Sequence, residues 1–147
     1  MANDALPIWR VSGACALAQR VAILSRMLAG GSDPLVRLYA GALPVEVGGG
    51  QSHLIAVPLS RTLSIVNANG ILELHPKDTA GVMLLIGGQP RWGELVAGDG
   101  VVLADGTVTD ADHGGCFRVS GGVTPEGDST PHFYAGGILL LQPTVLV

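Results

Sequence analysis

Charge is scarce in this chain. Asp, Glu, Lys and Arg make up 14% of its 147 residues, against 48% apolar residues and a mean hydropathy of +0.45. Disorder goes with low hydrophobicity and high charge, so a disordered chain is excluded. Aromatic residues are fewer still: Trp9, Tyr39, Trp92, Phe117, Phe133 and Tyr134 are all there are, and they do not cluster into a platform for stacking on sugars. The core must therefore be aliphatic. Lysine occurs once, at Lys77, and the net charge of −4 with a pI of about 5.4 speaks against a nucleic-acid partner. The two cysteines, Cys15 and Cys116, form neither a C-x-x-C pair nor a zinc spacing, so they are expected to be free thiols in apolar surroundings. No apolar run approaches the roughly 18 residues of a membrane span, and the first residues lack the basic and apolar regions of a signal peptide. The expectation is a protein without a membrane partner, retained in the cytosol or in a particle assembled there.

Glycine and proline, in contrast, are abundant: 22 and 9 residues, scattered without a collagen-like period. One domain is expected at this length. Punctuation of this density suits many short strands joined by tight turns. One segment departs from that rule. Leu17, Val21, Leu24 and Leu28 recur at steps of four, three and four, Gly30-Gly31 follows, and Arg26 sits where a helix dipole favours a cation, so a helix is predicted over about residues 14–29. After Asp33-Pro34 the chain reads as strands at 35–40, 52–59, 62–66, 70–75, 81–86, 91–97, 100–104, 116–120 and 136–147, with the stretch 43–51 ending in a flexible Gly48-Gly49-Gly50 loop. Asn67-Ala68-Asn69-Gly70, Asp99-Gly100 and Asp105-Gly106 supply hairpin turns. Residues 105–115 and 121–132 read as exposed loops. The predicted fold is mainly β, a β-sandwich or flattened barrel with one N-terminal α-helix, and residues 13–147 form a single β-rich domain.

Residues 1–12 read as an extended N-terminal arm, because Pro7 cannot join a helix and pushes Leu6 toward extended geometry. The arm's Leu6, Ile8 and Trp9 are too apolar for a free tail, which makes them candidate partner contacts. The C-terminal run Gly137–Val147 is apolar on both alternating faces and is expected to be covered on both. Pro143 cannot donate to a ladder, which leaves Val145 and Val147 as further candidate contacts for another subunit. The charge is uneven too: residues 1–67 hold five basic and three acidic side chains, and residues 68–147 hold three and nine. Copies of the chain could attract head to tail. A surplus of apolar residues over charges also suggests surface covered by other subunits, hence a homo-oligomer.

No pattern for chemistry emerges. His53, His75, His113 and His132 occupy separate segments, and the best local cluster, Asp110, Asp112, His113 and Cys116, is what an ordinary loop looks like. There is no G-x-S-x-G elbow, no P-loop and no dinucleotide fingerprint. Glu73, Glu94, Asp99 and Asp105 could pair as carboxylates only if the fold brought them together. The expectation is a protein that is not an enzyme, with no catalytic, cofactor-binding or metal residues and no cofactor.

Several segments resemble a family of small tailed-bacteriophage virion proteins that serve as head decoration or cement. Ile23-Leu24-Ser25-Arg26-Met27-Leu28 leads into Pro34-Leu35-Val36-Arg37-Leu38-Tyr39-Ala40-Gly41-Ala42-Leu43-Pro44, similar to that family's helix followed by a strand. Pro90–Val102 is similar to its tryptophan strand and turn, Asp105-Gly106-Thr107-Val108 to the next strand, and Ala135-Gly136-Gly137-Ile138-Leu139 to its closing strand. The resemblance spans roughly residues 20–147. It departs at Glu94, where an arginine is usual, and in the longer, more acidic segment 121–132. It implies a non-enzymatic structural role in the virion, as a capsid cement or decoration subunit bound to the major capsid protein. It carries no functional residues with it. A tail, neck or head-completion component is the alternative within that context, and a small carbohydrate-binding or hydrolytic β-domain is the alternative outside it.

Overall fold

The computed structural model describes residues 7–146. Helix α1 spans Gly13–Met27. It starts where Ser12, still extended at φ −68° and ψ 163°, accepts the Cys15 N–H on its side chain at 3.1 Å, and Arg26 lies in its last turn. Ten strands follow: β1 Leu35–Tyr39, β2 Ile55–Pro58, β3 Ile65–Val66, β4 Leu72–Leu74, β5 Val82–Met83, β6 Trp92–Val96, β7 Val102–Asp110, β8 Phe117–Ser120, β9 Ile138–Leu141 and β10 Thr144–Leu146. The molecule is mainly β, 34% strand and 11% helix, with a nearly closed, barrel-like sheet and one N-terminal helix.

Seven strands form that sheet in the order β2-β1-β6-β7-β8-β9-β5, and β10-β4-β3 form a second, smaller sheet. Alternation along the strands explains the core. Val36 and Leu38 of β1, Ile55 and Val57 of β2, Leu95 of β6, Val119 of β8, and Leu139 and Leu141 of β9 point into it, together with Leu72 and Leu74 of the small sheet. α1 packs on β3 and β4 and closes this core with Met27, which is 0% exposed. Asp99-Gly100 makes the tight β6–β7 turn, with Gly100 at φ +89° and its N–H on Ala97 O at 2.9 Å. Asn67–Gly70 turns β3 into β4, and the Asn67 side chain accepts the N–H groups of Asn69 and Ile71.

Other expectations are corrected. Asp105-Gly106 is not a turn but the middle of β7, where Gly106 lies opposite Gly93 of β6. Glycine is needed there for close approach, since a Cβ would come within 2.8 Å of the Cys116 Cβ. β8 runs parallel to β7, Val108 opposite Phe117, after a return of six residues that is tied back to the strand where Thr109 Oγ1 accepts the Gly115 N–H. Within α1 the buried side carries Met27 and the half-buried Ala16, Arg20, Ile23 and Leu24; of the expected stripe Leu24 and Leu28 pack against the core, whereas Leu17 and Val21 are exposed. The docked face thus shares Leu24 with the expected stripe and extends from there toward Met27 and Ile23, away from Leu17 and Val21. The C-terminal run is not covered on both faces: Leu139 and Leu141 are buried, but Ile138 and Leu146 are exposed. Nor is the segment after Pro143 left free. It crosses to the small sheet and pairs with β4, Thr144 opposite Leu74 and Leu146 opposite Leu72. Both cysteines are free thiols, but they are exposed rather than packed in apolar surroundings.

Candidate functional site

The apolar residues that the fold leaves outside define the first candidate surface. Leu6 and Val147 lie outside the described residues. Ile8 and Trp9 are 81% and 91% exposed on an arm without secondary structure, and Val145 is exposed on β10, an edge strand of the small sheet. The arm runs directly into the outward face of α1. There Ala14, Leu17, Ala18, Val21 and Ala22 are all exposed and share one arc of the helix. α1 is thus apolar on two faces, and the outward one is exposed among the described residues, with Leu17 at its border beside Gly70. Val145 is separate in the chain from this surface.

Polar groups gather in two other places. On the outer face of the sheet Arg37, Glu94 and Asp105 stand in register across β1, β6 and β7. Tyr39 stacks on Trp92 with ring centroids 4.1 Å apart and planes at 8°, and the Tyr39 hydroxyl donates to Glu94 Oε1 at 2.5 Å. Burial first, and then the bond to Glu94, push the phenol above its ordinary value. The other oxygen, Glu94 Oε2, and Trp92 Nε1 are buried without a hydrogen-bond partner among the described residues. Glu94 is 1% exposed, so the two carboxylates that the fold does place opposite each other, Glu94 and Asp105, do not form an accessible catalytic pair. Glu73 instead accepts from Asn67, and Asp99 pairs with Arg26 at 2.8 Å.

The second polar place is a cleft of about 570 Å³ lined by Asp110, His113, Thr124 and Asp128. His113 Nδ1 lies 2.6 Å from Asp110 Oδ1, and Thr124 donates to the other oxygen at 2.7 Å. These two bonds hold the Asp110 carboxyl below its ordinary range. Asp128 is held far below that range by Arg91 first, then by the Ser129 N–H and Gln89. Both carboxylates serve as ties between loops. Asp112 offers its backbone N–H to Asp110, and no group of three or more His, Cys, Asp or Glu among the described residues is placed to hold a metal ion. His53 lies against Tyr39, His75 near Glu73, and His132 against Tyr134, so the four histidines remain apart.

A third feature was not read from the sequence. Met83, Leu85 and Ile86 are exposed beside the β2 edge and line a cleft with Leu54 and Ala56. The signal was present in Val82-Met83-Leu84-Leu85-Ile86, an apolar run with no polar alternation, and in Pro58, which marks an edge strand. Comparison with known protein families, curated proteins and solved structures returns no match.

Proposed function

We propose that this chain is a non-enzymatic structural subunit of a tailed-phage particle, a capsid cement or decoration protein that acts by binding the major capsid protein. The observation that carries this reading is the outward face of α1, where Ala14, Leu17, Ala18, Val21 and Ala22 are exposed among the described residues. A surface of that kind is costly to a protein that works alone and useful to one that docks. Cementing needs only many modest contacts repeated over a shell, because multivalency multiplies them. The segments that resemble virion proteins fall in α1, β1, β6, β7 and β9.

The test is a depletion experiment. Particles lacking this protein are expected to release their genome at lower temperature or in dilute salt while keeping their shape, and addition of the purified protein restores them. Depleted particles as heat-stable as complete ones would overturn the cement role. Density for the subunit at the tail or neck, rather than over the shell, would assign it to the alternative structural place.

A further inference from the structure

The seven-stranded sheet ends at β2 on one side and β5 on the other, and no ladder joins them. Yet both edges line the same clefts. One, of about 370 Å³, and another, of about 740 Å³, share Ala56 of β2 with Val82 and Met83 of β5, so together they form a slot along the open seam of the barrel. The backbone at this seam faces outward. Leu59 N–H donates to Pro34 O at 2.8 Å, and alternation from that pair points the N–H and C=O of Ala56 away from β1. Likewise Leu84 N–H donates to Gly137 O at 2.9 Å, which turns the N–H and C=O of Met83 away from β9. Two strand edges with free donors and acceptors therefore face one slot. At its far end the slot is closed, since Pro58 has no N–H and its C=O already accepts from Lys77 N–H at 2.9 Å. The near end is rimmed by Leu85 and Ile86, both exposed.

The same chain carries an unpaired segment of matching form. Pro7-Ile8-Trp9-Arg10-Val11 has no secondary structure, Ser12 that follows is extended, and Ile8, Trp9 and Val11 are β-branched or aromatic. Ile8–Val11 spans about 13 Å as a strand, the length of the four-residue β2. Charge fits as well. Lys77 at the slot is neutralised by Asp33 at 2.6 Å, which leaves the exposed Asp78 to meet Arg10. The arm does not enter its own slot, because Ile8 and Trp9 are almost fully exposed.

The geometry points to strand exchange between copies: residues 8–11 of one chain insert between β2 and β5 of another and complete its barrel. The inserted strand bonds Ala56 on one side and Met83 on the other, and its apolar side chains cover Met83, Leu85 and Ile86. This exchange does not depend on the particle proposed above, since it needs only the chain itself.

The test uses two variants of the full chain, each first shown by circular dichroism and melting to keep its fold. Deletion of residues 2–11 removes the donor strand, and Met83→Lys, at a side chain already 54% exposed, blocks the slot with an edge charge. In sedimentation equilibrium the wild type is expected to associate with rising concentration, and each variant alone to do so about tenfold more weakly or not at all. Mixing the two variants should restore association, as a heterodimer that joins the intact arm of Met83→Lys to the intact slot of the deletion variant. A wild type that stays monomeric, a deletion variant that associates like the wild type, or a mixture that stays monomeric would each overturn the proposal. None of these outcomes bears on particle stability, so the cement reading stands or falls separately.

Discussion

Glu94 shows how much one buried side chain constrains its surroundings. Its carboxylate is held among the Tyr39 hydroxyl, the Tyr39–Trp92 stack and the Gly50 loop, where a Cβ on Gly50 would sit 2.6 Å from the Tyr39 ring. Tyr39→Phe keeps the stack but leaves that carboxylate without its donor. The expected loss is about 1–3 kcal/mol, measured by urea unfolding, and an unchanged midpoint would mean that the bond contributes nothing. Asp110 and Asp128 act at the surface and through pH. Their folded pKa values lie below the ordinary 3.8, so their contribution is fully present above about 3.8 and is lost as pH falls below it toward the folded values. Melting temperature should therefore drop between about pH 4 and pH 2, and Asp128→Asn, which cannot titrate, should flatten that drop while lowering the plateau above it. Equal slopes for the two proteins would show that Asp128 is not a source of acid sensitivity.

At the scale of elements, α1 separates stability from binding. Met27 fills the core from the last turn, and Met27→Ala should cost about 2–5 kcal/mol through the cavity it leaves. Val21 lies on the opposite arc and is exposed, so Val21→Asp should change the stability of the isolated chain by no more than about 0.5 kcal/mol. If the outward face docks on a particle, the second variant should nevertheless lose occupancy there. Thermal melts of the two variants, with their retention on particles, read both effects. A strongly destabilised Val21→Asp would show instead that this face packs on its own domain.

For the whole molecule, the chain end matters more than its position suggests. β10 is the outer strand on β4, and β4 carries Leu72 and Leu74, both buried in the shared core. Truncation after Gln142 would strip that cover and should lower the melting temperature markedly, with loss of near-ultraviolet dichroism. An unchanged melt would make Thr144–Leu146 an accessory strand, free for another subunit.

Much of the fold was legible because it follows from local backbone preference. Asp99-Gly100 and Asn67–Gly70 turn where they do because glycine reaches positive φ and asparagine caps its own turn. The helix follows from an apolar run ended by Gly30-Gly31, and the strand-rich class from the density of Gly and Pro. Facing and pairing were decided elsewhere. Gly-Ala-Cys-Ala-Leu-Ala-Gln-Arg-Val-Ala-Ile-Leu is apolar nearly all round, so its periodicity could not choose a buried face. The small sheet chose it, with Met27 in the core and Arg20 Nε donating to Gly70 O. Asp105-Gly106 carries a turn signal, yet the ladder to Glu94 and Gly93 holds it extended, because each paired residue gains backbone hydrogen bonds that a turn would give up. The open seam between β2 and β5 is likewise a property of strand order, which no local segment encodes. Sequence determined the strand-rich class, the helix and the turns at Asn67–Gly70 and Asp99-Gly100, and the tertiary structure alone decided which surfaces meet, because burial is a choice among partners distant along the chain.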